Sequence, residues 1–393
     1  MRKVVLLATL LASSSALTVD ASAGLIPSDR GAWEPTGSTS VMRADHTATL
    51  LADGRVFVAG GGYLEDGTLA PTEIWDPRTG QFRSGATQSG IDPDTMAALL
   101  TDGRVLLVGA DRWSRSWFAE TWDPRTDSLT PVGSVPNLST DEDSVLMALP
   151  DGRAVVFGNG AETGCETTFV AEVWDPATGR FHRAGSTPKG RHGYTATSLR
   201  ADGRILFTGG GALRGHGGDP QRATCGWRLS RDNLAPSVVW DPATESFGVT
   251  GPMDTNRWSH TATELADGRV LVAGGHAAEG EALLSEIWDP STGRFTPAAT
   301  LETRREADLA VLLTDGRILM TSGDGEDPLS TLLWSPESQT FSVTGSLGGP
   351  HLNGAQWQTG ATLTELTDGR ALIIGGRDTD GNGRTAAELF SFR

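Results

Sequence analysis

Positive charge is scarce in this sequence, and lysine is almost missing. Thirty-two basic residues face 49 acidic ones, the formal charge is −17, and Lys189 is the only lysine after Lys3. A surface of that sign repels nucleic acid and anionic lipid, so neither is an expected partner. Beyond the first 23 residues no apolar run is long enough to span a bilayer, so no membrane span is expected. No Gly-x-Ser-x-Gly elbow is present, which removes the usual signature of serine hydrolysis. Histidines are few and never closely spaced; His46, His216, His260 and His276 give no metal-ligand pattern.

What is abundant is glycine, at 50 residues, with 20 prolines. That composition predicts many turns and short strands rather than long helices. The N-terminus stands apart. Arg2-Lys3, the apolar "VVLLATLLASSSALTV" and Ala21-Ser22-Ala23 read as a secretory leader over residues 1–23, cut before Gly24. Export to the periplasm or outside the cell follows, with no cysteine beside the cut to carry a lipid anchor.

The rest repeats. "DGR" recurs at Asp53, Asp102, Asp151, Asp202, Asp267, Asp315 and Asp368, each time before an apolar strand such as "VFVAGG" or "ALIIGG". "WDP" or a relative follows at Trp75, Trp122, Trp174, Trp240, Trp288 and Trp334, with Phe390 in the seventh copy. A short aromatic strand comes next, as around Phe82, Phe181 and Phe341. Four strands in a period of roughly fifty residues are the mark of a propeller blade. The pattern resembles the Kelch family, as in secreted bacterial propellers and galactose oxidase-like proteins. The resemblance covers Asp29 to Arg393 and implies an all-β, seven-bladed propeller over 24–393. It carries little about function, because propellers host unrelated activities. The seventh copy lacks its fourth strand, and "GAWEPTGS", with Trp33, is expected to supply it and close the ring.

Labelling the strands a to d outward from the channel separates two faces. The a–b turns carry Asp-Gly-Arg and are nearly uniform, which suits a hairpin corner. The b–c loops and d–a connections vary, and variable loops on a rigid scaffold are where binding is expected. The approach to strand a reads Arg43 to His46 in blade one and Arg257 to His260 in blade five. Arg191 and Tyr194 match them in blade four, and Arg305 and Asp308 in blade six. Blades two and three offer Asp92 and Asp141. Arginines at this place line ligand pockets in Kelch binding domains, so the resemblance implies a ligand site; arginine–aspartate pairing between blades is the alternative. Such arginines would clamp a carboxylate through paired hydrogen bonds.

Trp258 and Trp357 flank the same mouth, and Trp113, Trp117 and Trp227 lie near the b–c loops. They suit sugar rings, or pack the loops on themselves. The b–c segment of blade four, 211–236, is long and holds Cys225; Cys165 lies in the matching segment of blade three. In an exported chain these two are expected to form a disulfide.

Galactose oxidase-like kinship raises copper-radical oxidation. Such enzymes need two tyrosines, two histidines and a cysteine joined to one tyrosine, whereas here only Tyr63 and Tyr194 are present, with no Tyr-His pair. "DTDGNG", with Asp378, Asp380 and Asn382, matches half a calcium loop, but Leu389 stands where the closing glutamate belongs. A polar hairpin is the competing reading, and no cofactor is expected. Acid–base catalysis, as by a lyase, epimerase or hydrolase, would draw on Asp92, Asp141, Asp143, Tyr194, His260 and Asp308. The favoured expectation is a monomeric binding module for an extracellular small molecule, glycan or protein segment.

Overall fold

A computed structural model describes residues 30–87, 95–110, 116–138, 144–160, 167–211, 214–216, 224–226, 236–255, 257–277, 284–301, 309–321, 328–351 and 360–392. The described residues contain no helix. Seven four-stranded antiparallel sheets succeed one another along the chain and form the blades of a β-propeller. Blade one is typical: His46–Leu50, Val56–Gly60, Pro71–Asp76 and Gln81–Thr87 pair in that order. Blade seven runs Ala361–Glu365, Ala371–Gly375 and Ala387–Phe392, and its outer strand is Gly31–Pro35 from the other end of the chain. Trp33 there stands opposite Phe390, as Phe82 stands opposite Trp75 in blade one.

Strand b explains the sheet's stability. Val56–Gly60 is buried along its whole length, and so are its counterparts such as Ala154–Asn159 and Ala371–Gly375. Strands covered on both faces carry unbroken runs of β-branched and aliphatic side chains, which is what "VFVAGG" and "ALIIGG" supply. Strand d alternates toward solvent and takes the polar residues, as in Gln81–Thr87.

The core is divided into seven clusters, one at each junction between blades. Trp75 of blade one packs on Leu372 and Ile374 of blade seven, and Trp122 of blade two packs on Phe57 of blade one with ring centroids 4.3 Å apart. Trp174, Trp240, Trp288 and Trp334 do the same one blade further on each time, and Phe390 fills the last junction. The repeated tryptophan is thus inter-blade mortar, and each full burial stabilises by about 2–3 kcal/mol. Between blades three and four the filling is rich in aromatics, with Phe157 in contact with Phe207, Trp240, Phe169 and Phe247 among aliphatic neighbours such as Val155 and Ile205.

Candidate functional site

The two faces differ in how their charges are engaged. In every Asp-Gly-Arg turn the aspartate accepts from the arginine's backbone N–H and from its side chain; in blade one these are Asp53 Oδ1 at 3.1 Å and Oδ2 at 2.8 Å. The same pair closes the other six turns. Gly54 has φ +84°, a conformation that disfavours any side chain. The Arg55 hydrogen bonds hold the Asp53 carboxyl below its usual range. Charges neutralised within three residues make corners, not a binding surface.

On the loop face, the approach to strand a forms a clasp between blades. Asp45 has φ +62° and its N–H donates to Gly360 O at 3.0 Å; Ser259 has φ +49° and donates to Gly193 O, also at 3.0 Å. This left-handed step turns the next residue inward. His46 Nε2 therefore meets the Thr362 hydroxyl of blade seven at 2.9 Å, and His260 Nε2 meets Thr195 and Thr208 of blade four, both at 2.9 Å. Paired glycines end strand b because the ring needs the space: a Cβ on Gly375 would lie 2.8 Å from His46 Cε1, and one on Gly209 only 2.4 Å from His260 Cε1. Burial, with nearby arginine, pushes both imidazoles down to about 3, so they are neutral in the folded protein.

The three described arginines expected at this mouth are enclosed within their own blades. Arg43 and Arg257 are fully buried and Arg191 is 1% exposed. Arg43 Nε donates to Glu73 at 2.9 Å, and its other nitrogens reach the Gly60 and Pro71 carbonyls. Arg257 Nη2 pairs with Glu286 at 3.0 Å and donates to the Leu284 carbonyl, while Nη1 donates to the Gly274 carbonyl. Their partners are glutamates of the same blade, not aspartates of the next. In blade seven His351 takes the cation's place, with Nε2 3.1 Å from Glu388.

Glu73, Glu286 and Glu388 are the residues that motif reading passed over. The signal was present, because a glutamate precedes the aromatic by two positions in "EIWDP", "ETWDP", "EVWDP" and "AELFSF". Blades four and six, with Val238 and Leu332 there, lack it.

The remaining candidates separate. Tyr194 takes the histidine's place in blade four, where its ring meets Phe169 edge-on at 5.0 Å. Trp258 stacks on His276 at 5.1 Å and 10°, on a two-residue extension of strands a and b toward the loop face. Trp117 is buried in strand c of blade two rather than offered by a loop. Asp378 accepts from the backbone N–H groups of Asp380 and Asn382, both at 2.9 Å, and the Asn382 carboxamide turns back on it. That carboxylate caps a hairpin instead of facing a cation. Asp92, Asp141, Asp143, Arg305, Asp308, Trp357, Trp113, Trp227 and Cys165 lie outside the described residues, as does the side chain of Cys225.

No family model matches the chain, and no curated protein matches it either. Among solved structures it is similar to a fungal alcohol oxidase of the AA5 family in complex with copper, at TM-score 0.68 and 16% identity, over 93% of this chain and 77% of that one. That likeness is one of fold. The residues described here do not fit a copper-radical centre. Tyr63 and Tyr194 lie on blades one and four, His46 and His260 are closed in against threonines, and the described residues hold no cluster of three metal-binding side chains.

Proposed function

We propose that this chain is an exported binding propeller that takes an extracellular ligand on the loop face, above the channel mouth of blades four and five. The observation that carries the reading is the asymmetry of the faces. Every Asp-Gly-Arg pair is satisfied within its own turn, whereas the other face holds the half-buried Trp258–His276 stack, next to Ser259, whose N–H donates to Gly193 of blade four. A flat aromatic pair suits a sugar ring or another planar apolar surface, and the acidic remainder of the molecule suits solubility outside the cell. Acid–base catalysis gains no support from His260, since a ring neutral down to about pH 3 and bonded to two hydroxyls is not poised to take a proton near neutrality.

The test is a binding screen of the secreted protein against neutral and acidic oligosaccharides, with Trp258→Ala beside the parent. Tenfold weaker binding in Trp258→Ala is the expected result, with Arg55→Ala on the opposite face unaffected. Equal binding by Trp258→Ala and the parent, or no ligand in the panel, removes the reading. N-terminal sequencing of the exported chain should begin at Gly24.

A further inference from the structure

Blade four breaks a rule that blades one and five keep. In all three the approach arginine reaches the carbonyl that ends strand b and the carbonyl at the start of strand c. These are Gly60 and Pro71 for Arg43, Gly274 and Leu284 for Arg257, and Gly209 and Pro236 for Arg191. In blades one and five a strand-c glutamate then neutralises the charge. Glu73 stands opposite Val58, and Glu286 opposite Val272. At the same register in blade four, opposite Phe207, the residue is Val238.

Among the described residues, Arg191 is consequently a buried cation that no carboxylate pairs. It is 1% exposed, its Nε has no hydrogen-bond partner, and beyond the Gly209 and Pro236 carbonyls its compensation is the Phe169 ring at 5.9 Å. Burial lowers its pKa to about 10, with Tyr194 opposing the shift. Uncompensated buried charge is strongly destabilising, and a guanidinium stays charged rather than releasing its proton. Pro236, whose carbonyl accepts from Nη2, is exposed on the loop face.

We propose that blade four binds a carboxylate from solution at Arg191, the ligand's oxygens meeting Nε and Nη2 as Glu73 meets those atoms of Arg43. In that template the single oxygen Oε2 of Glu73 accepts from both Nε and Nη2, so one carboxylate oxygen of the ligand suffices for the charge-assisted pair. The carboxylate belongs to a sugar acid or to a free small organic acid. This rests on the loop face being the ligand-bearing face, and it names the group that would read an acidic ligand there.

The experiment uses the full secreted chain and two probes, sodium glucuronate and sodium acetate, with glucose and sodium chloride at matched ionic strength as controls. Thermal unfolding of the parent is expected to rise by a few degrees, saturably, with the acids and not with the controls. A larger effect of glucuronate than of acetate assigns the site to sugar acids, and equal effects assign it to the bare carboxylate. Val238→Glu supplies the missing partner internally, so it should unfold at a higher temperature without ligand and lose at least tenfold in acid affinity. Arg191→Met covers the case in which Val238→Glu folds poorly, and should also lose the acid response. A parent that responds to chloride as to acetate, or either variant with unchanged acid affinity, overturns the proposal. Trp258→Ala in the same assay separates the two readings. If oligosaccharide binding fails throughout while the acids still act through Arg191, only the glycan reading falls.

Discussion

His260 belongs to blade five, yet its Nε2 lies 2.9 Å from the Thr195 hydroxyl of blade four, and His46 of blade one keeps the same distance to Thr362 of blade seven. Two of the seven junctions are therefore tied by a neutral imidazole as well as by apolar packing. In each ring Nδ1 is buried without a partner among the described residues, so protonation would place a charge where little can solvate it.

That arrangement makes stability depend on pH. Both histidines titrate near 6.5 when unfolded and near 3 when folded. A base with a lowered folded pKa contributes its full stability above the unfolded value, and that contribution declines as pH falls from 6.5 toward 3. Each ring should remove about 1.4 kcal/mol per pH unit across that window. Urea unfolding between pH 7.5 and 4 measures the slope, and the His46→Gln, His260→Gln double variant should lie flatter by the share of both rings. An identical slope in parent and double variant would refute this assignment.

The buried ion pairs give a second prediction. Glu286→Ala removes the strand-c carboxylate that pairs with buried Arg257, which keeps its contacts to the Thr255, Gly274 and Leu284 carbonyls, at a cost of about 3–5 kcal/mol. Replacing both members by apolar residues of similar volume, Arg257→Met with Glu286→Leu, should cost less than the single change. Chemical denaturation of the three variants orders them. A double variant as weak as Glu286→Ala would show that the pair itself, not the stranded charge, stabilises blade five.

These relations mark where the sequence was transparent and where it was opaque. Asp-Gly-Arg and Trp-Asp-Pro recur because a corner and an inter-blade filling recur, so seven copies display the architecture without reference to any contact. The same logic identifies Trp33 as a stand-in for Phe82, since an outer-strand aromatic is needed opposite Phe390. Arg43 and Arg257 were harder. A polar residue on a variable connection is as compatible with solvent as with burial, and its partner lies some thirty residues on, within a strand read as packing. Only by comparing blades does the glutamate two places before the tryptophan become a partner, and its absence at Val238 become informative.

The Asp-Gly-Arg face should tolerate loss of charge better than loss of glycine. Asp53→Ala removes an ion pair whose carboxylate is half exposed, which is expected to change stability by about 0–1 kcal/mol. Gly54→Ala forces a Cβ onto φ +84° and should cost about 1–2 kcal/mol. Urea midpoints decide, and ligand binding by either variant should equal that of the parent. A binding defect in Asp53→Ala would return this face to the list of candidate sites.

Cys225 sits on Thr224–Gly226, a short strand of the long blade-four segment, and Cys165 is in the corresponding segment of blade three. A bridge between them would tie blade three to blade four. Alkylation of the purified protein under denaturing conditions, followed by intact mass, should find no free thiol. Reduction should lower stability by about 2–4 kcal/mol. Two alkylated cysteines before reduction would exclude the bridge.

Closure of the ring is the most sensitive point, because it joins segments more than 300 residues apart. Gly31–Pro35 pairs with Ala387–Phe392, the Gly31 N–H donates to the Thr344 hydroxyl of blade six, and Trp33 packs on Phe390 at 5.3 Å. Gly31 is itself required, since a Cβ there would lie 2.0 Å from the Phe390 ring. Trp33→Ala should cost about 3–5 kcal/mol, much as for other large buried aromatics. Its effect should exceed that of Phe82→Ala, because Phe82 only covers a sheet already linked in sequence. Gly31→Val should impair closure by clash rather than by lost burial, and hydrogen exchange should then rise along Ala387–Phe392 before any other strand c. Exchange rising evenly across all seven blades would mean that the closing strand is not the weak seam of the ring.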